Sequence, residues 1–202
     1  MDFNGFSKDD FNVFYTDGLE ERMTLIREKI QPKFKEIGED LTEELSVLSG
    51  EEMFLHIAQH ARRKKNPPND TWLAIAPNKR GYKMLPHFQV GLFDDHVFVW
   101  LAYIYELPNK EDKASTLLDN IGNVKELPRD FMVSLDHTQK NAFPITDEEA
   151  LEKGLERFRD VKKGEFLIGK QIMSDDPLLK DGDRFLNTVK ETFETLMPLY
   201  KL

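Results

Sequence analysis

Apolar and polar positions alternate most densely between Thr71 and Glu106, in TWLAIAPNKRGYKMLPHFQVGLFDDHVFVWLAYIYE. Trp72, Ala74 and Ala76 fall on one face of an extended chain, Leu73 and Ile75 on the other. The polar run Pro77 to Gly81 predicts a turn, and a second strand over 82–93 follows, with Pro86 marking a bulge or an unpaired position. Asp94-Asp95 predicts a tight hairpin. The third strand, His96 to Glu106, is apolar on both faces, which places it in the middle of a sheet with cover above and below. Short links make these three strands antiparallel.

Before this centre the period changes. Leu19, Met23, Ile26, Ile30, Phe34, Ile37, Leu41, Leu45 and Leu48 recur at steps of three and four, the spacing of one helix face. Pro32 lacks an N–H and its ring meets the carbonyl four residues back, so the stripe predicts a helix over 18–30, a break or kink, and further helix over 33–48. Ser7 with Asp9 and Asp10 reads as an earlier helix start. Met53, Phe54, Ile57 and Ala61 after Ser49 predict another helix over 50–64, stopped by Asn66-Pro67-Pro68. After the centre come a helix over 110–122, a strand over 130–135 and a helix over 147–161 behind a capping box of Thr146 and Glu149. A strand over 165–173 and a helix over 183–197 ended by Pro198 complete the chain.

Helices flank a strand-rich centre, so the fold class is α+β: one domain over residues 1–202. An antiparallel sheet of about five strands is covered by helices from both chain ends. The parts are a helical N-terminal layer over 7–64, a sheet-rich centre over 71–136 and a helix–strand–helix part over 146–202. A chain of 202 residues buries enough surface to fold without staples.

Composition narrows the chemistry. The absence of Cys removes disulfides, thiolate metal sites and Cys nucleophiles, and suits a reducing compartment. No basic-then-apolar leader opens the chain and no run approaches ~18–20 apolar residues, so a cytoplasmic protein without a membrane partner is expected. The formal net charge of -9 opposes general nucleic-acid binding. Residues 51–90 depart from this balance, with seven Lys or Arg against three acidic groups.

That basic island carries the favoured site. Arg62, Arg63, Arg80 and Lys83, with His60 and His87, would meet a phosphate or carboxylate, since the guanidinium fork matches such groups. Trp72 and Tyr82 would stack on a ring, and His137 is a further candidate. The expected partner is an anionic small molecule held by a cytosolic binding protein. The alternatives are a hydrolase or transferase on a phosphorylated substrate, with His60 or His137 as acid/base, and a single-strand nucleic-acid or protein-interaction module. His56 and His60, one helical turn apart, have the spacing of a shared metal but not the Glu that follows the first His in zinc protease helices. No metal ligands are assigned. Asp136-His137 has no Gly-x-Ser-x-Gly elbow to serve as a triad. No P-loop, Gly-x-Gly-x-x-Gly or EF-hand pattern occurs, and no cofactor is expected.

The strings LEERMTLIREKIQPKF (19–34), HARRKKNPPNDTW (60–72), RGYKMLPHFQVGLF (80–93), SLDHTQK (134–140) and TLMPLY (195–200) resemble the YktB-like proteins of Gram-positive bacteria, a family with a domain of unknown function. The resemblance covers essentially the whole chain. It implies a soluble bacterial protein with an α+β fold and an antiparallel sheet. It supplies no catalytic residues to carry over.

Overall fold

The computed structural model describes residues 3–202. The chain opens with α1 (Lys8–Asn12), whose capping box is Ser7 with Asp10, and a 3-10 turn over Val13–Tyr15. It continues through α2 (Leu19–Leu25) into α3 (Gln31–Ser49). Of the break or kink expected at Pro32, the break does not occur. Pro32 sits in the first turn of α3, and the misfit is absorbed one turn earlier by a π-helical segment, Ile26–Ile30. Gly50, in the left-handed region at φ 78°, ends α3.

The expected helix over 50–64 is overturned, and with it the 7–64 helical layer, which stops at Ser49. Phe54–Ile57 is a strand, β1, paired with β2 (Thr71–Ala76) in the register Phe54↔Ala76 to Ile57↔Leu73. The Met53, Phe54, Ile57 spacing fits a helix locally, but β2 presents an unpaired edge that β1 fills. Gly38 of α3 leaves the room that Leu55 occupies, which seats the strand against the helix. Residues 58–70 are then irregular. His60 lies in the left-handed region at φ 51°, so His56 and His60 share no helix face.

β3 (His87–Leu92) and β4 (His96–Tyr103) complete the central meander. The expected strand over 82–93 is shorter because residues 82–85 form a turn before Pro86. α4 (Lys110–Asp119), α5 (Ile121–Lys125), β5 (Met132–Ser134), β6 (Phe143–Pro144), α6 (Glu148–Asp160), β7 (Phe166–Met173) and α7 (Gly182–Tyr200) follow. Asp147, rather than Thr146, caps α6 through the amide of Ala150 at 3.0 Å. Pro198 lies inside α7, which runs three residues past the expected end.

The sheet is antiparallel, in the order β1-β2-β3-β4-β7-β5-β6. Seven strands replace the expected five or so; β1 and the two-residue β6 account for the difference. The fold is α+β, with helices from both chain ends on one face. There Leu73, Ile75, Phe88, Val90, Val99, Leu101 and Tyr103 meet Ile30, Phe34, Ile37, Leu41, Val189, Phe193 and Leu196 in the main core. Lys190 of α7 pairs with Asp40 of α3 at 2.8 Å across that layer. The cover above and below that β4 requires is therefore unequal: helices on one face, loops on the other.

Candidate functional site

The loop-covered face carries the polar chemistry. Strand registers lay His56, Ala74, Gln89, Trp100 and Gly169 in one row, with Trp72, Gly91, Phe98 and Gln171 in the next. Phe93, Phe98, Trp100, Ala102, Ile104 and Leu167 form a small apolar core on this face, flanked by Trp72. The remaining row positions hold histidines and amides, over which residues 58–70, 77–86 and 136–142 fold.

Trp72 is the hub. Its indole N–H donates to the Tyr82 hydroxyl at 3.0 Å, and its ring meets His60 edge-on at 5.5 Å and His137 at 6.0 Å between centroids. The Tyr82 ring contacts His87 at 4.9 Å and His56 at 5.3 Å. His87 lies within 2.8 Å of two groups, the Leu85 carbonyl at Nδ1 and the Gln89 amide at Nε2. This pattern fits a neutral ring that donates from Nδ1 and accepts at Nε2. Burial pushes its pKa down to about 4. Burial, helped by the charge of Arg63, does the same to His60, which bonds the Thr71 hydroxyl at 3.2 Å.

At the other side of Trp72, both oxygens of Glu165 lie against His137 Nδ1, at 2.8 and 2.9 Å, and Glu165 also accepts from the His137 amide at 2.8 Å. Burial alone would lower the His137 pKa, but the bond to Glu165 and the charges of Glu165, Asp70 and Asp136 hold it above the ordinary value. Glu165 is 3% exposed. Asp70 is 5% exposed and its Oδ2 has no hydrogen-bond partner among the described residues; burial pushes its carboxyl up to about 6. Sequence reading missed both acids. A Glu opening the apolar strand segment FLIG is a signal for the first, whereas Asn69-Asp70 after two prolines reads as a plain turn.

A cleft of about 560 Å³ opens beside Tyr82, lined by His56, Asn78, Arg80, Tyr82, Lys83 and Glu106, among others. Lys83 pairs with Glu106 at 3.6 Å. Arg80 is exposed, and its guanidinium has no ion-pair or hydrogen-bond partner among the described residues. The fields of Asp70 and Glu106 both act on Tyr82, so the cleft and the buried cluster share one wall.

Of the expected site residues, His60, Trp72, Tyr82, His87 and His137 lie in one connected cluster, and Arg80 and Lys83 line the adjoining cleft. Arg62 and Arg63 do not line it. The Arg63 guanidinium is directed at the carbonyls of Asn66 and Pro67, at 3.3 and 3.4 Å, within its own loop. Arg62 is exposed. His96 stands apart, bonded to Asp95 at 2.6 Å.

A family model described as a domain of unknown function, DUF1054, matches residues 6–200. A UPF0637 protein of Oceanobacillus iheyensis is 59% identical over 200 residues, covering 98% of this chain and 96% of the relative. A UPF0637 protein of Shouchella clausii is 56% identical over 203 residues, covering 100% of this chain and 96% of the relative. One from Listeria welshimeri is 53% identical over 201 residues, covering 100% and 98%.

Proposed function

The chain belongs to the DUF1054 family, and on that premise we propose that it binds a small anionic, phosphate- or carboxylate-bearing molecule in the cleft beside Tyr82. One observation carries the reading: Arg80 stands at this cleft with its guanidinium unpaired among the described residues, in a protein whose net charge is -9. A free bidentate donor on an acidic protein is a selective feature for an anion, not a general one. Lys83 supplies a second cation, which would exchange Glu106 for the ligand. Burial holds the Tyr82 phenol above its ordinary range, so it remains a neutral hydroxyl at pH 7 and serves as a donor or a stacking face. His87 and His60, held neutral by burial, form the wall behind it. Their role is to fix Tyr82 and Trp72 rather than to add charge.

The test is thermal stabilisation of the purified chain by phosphate metabolites, nucleotides and small carboxylates, repeated on Arg80→Ala. A ligand at about a hundredfold excess over its Kd adds ~2.7 kcal/mol, which for a chain of this size is roughly 5–10 °C. The expected result is a shift of that order from one anion class, absent in Arg80→Ala. A shift retained by the variant, or no shift from any anion, removes the cleft as the site.

A further inference from the structure

On the far side of Trp72 from the cleft, one ligand atom from each of Asp136, His137 and Glu165 lies within 4.8 Å of the other two. The three come from two adjoining strands of the sheet: the segment leaving β5 and the residue entering β7. One imidazole and two carboxylates on so small a face match the donors of zinc and related first-row ions, which take His nitrogen and carboxylate oxygen at about 2.0–2.2 Å.

A second observation points the same way. Asp70 is 5% exposed with Oδ2 unpartnered among the described residues, and the opposite charge that acts on it most strongly is His137. A buried carboxylate oxygen without a donor is costly and calls for a counter-charge. Arg63, the next opposite charge acting on it, is directed at its own loop carbonyls. A route in also exists: Asp136 is exposed and lines a cavity of about 260 Å³ that opens beside Gln139 and Phe143.

We propose that Asp136, His137 and Glu165 bind a divalent transition-metal ion of the zinc or manganese type, with Asp70 as the outer carboxylate that balances it. The imidazole makes the set a poor match for calcium or magnesium, which take oxygen ligands almost exclusively. Binding replaces the hydrogen bond between His137 Nδ1 and Glu165 with one bond from each to the ion. The site stands independently of the anion cleft, since none of its ligands lines that cleft.

Titration of the full chain with ZnCl2 and, separately, MnCl2, by calorimetry after chelator treatment, tests this. The expected result is one saturable site. Asp136→Asn keeps the acceptor that the Thr138 amide uses at 2.8 Å, so its turn survives; its affinity falls by at least about 30-fold. Asp70→Asn weakens binding about 10- to 100-fold, the range of outer-shell partners. Failure of both ions to bind wild type overturns the proposal. So does binding that both variants leave unchanged, which would place the ion elsewhere.

Discussion

The indole N–H of Trp72 donates to the hydroxyl of Tyr82 at 3.0 Å, tying an inner strand of the sheet to the turn that walls the cleft. Tyr82→Phe leaves that indole N–H without its partner and is expected to cost about 1–2 kcal/mol in urea unfolding. Combined with Trp72→Phe, the pair should return a coupling of about 0.5–1.5 kcal/mol in a double-mutant cycle. A coupling near zero would show that ring packing alone holds the turn.

His87 sets a pH dependence of known sign. Its folded pKa of about 4 lies below the ordinary value of 6.5, so between these two pH values the unfolded chain binds the extra proton and stability falls as pH drops. For this fully buried ring the loss is of the order of 3 kcal/mol across that window. His60 acts in the same direction. Asp70 opposes them, because its folded pKa of about 6 lies above its ordinary 3.8 and the folded chain takes up that proton first as pH falls. Stability measured from pH 7 to pH 4 in wild type and His87→Gln isolates the histidine: the variant should lose less. Equal slopes would contradict a buried neutral ring.

Gly169 pairs with Trp100, and a Cβ there would collide with the Val99 carbonyl oxygen of the neighbouring strand. The nearest atoms are all β4 backbone, so no flexible side chain can move aside. Gly169→Ala is expected to lower stability by about 3 kcal/mol or more, a fall of roughly 6–12 °C in Tm. A variant that melts like wild type would show that β4 and β7 can separate locally at little cost.

Lys110 is 4% exposed, and its ammonium donates to the carbonyls of Phe158 and of Val161, the latter at 2.6 Å. It satisfies the C-terminal carbonyls of α6 from α4, where a cation also suits the helix dipole. Lys110→Met keeps most of the stem and removes the charge; about 2 kcal/mol should be lost, with faster amide exchange at the end of α6. Breaking the exposed Lys125–Glu148 pair, at 2.7 Å, should cost under about 0.5 kcal/mol by comparison.

The strands that were legible in the sequence are those with sustained pattern. β4 is eight residues of unbroken burial, and α6 and α7 keep a helical stripe to their ends. β1 was not legible. It has four residues, each half-buried, so the alternation that betrays a strand is absent, and what forms it is the edge of β2, a tertiary partner. β6, with two residues, exists only as the partner of β5. In the site, Trp72, Tyr82 and His87 were readable because they lie within sixteen positions of one another on adjacent strands and their turn. Glu165 was not, because its bond to His137 spans 28 residues. Arg62 and Arg63 show the converse: charges close in sequence to Arg80 are parted from its cleft by the fold of residues 58–70.

The strand order carries a cost in time. β7 lies next to β4 in the sheet but is made about 70 residues after it. At a synthesis rate of about 5–20 residues per second, the outer edge of β4 waits roughly 4–14 s for its partner. In that interval the nascent chain shows a β-ribbon edge whose every residue is buried once folding is done, which is the kind of edge that recruits other chains. The outer edge of β4 is therefore most exposed during synthesis, before β7 is made.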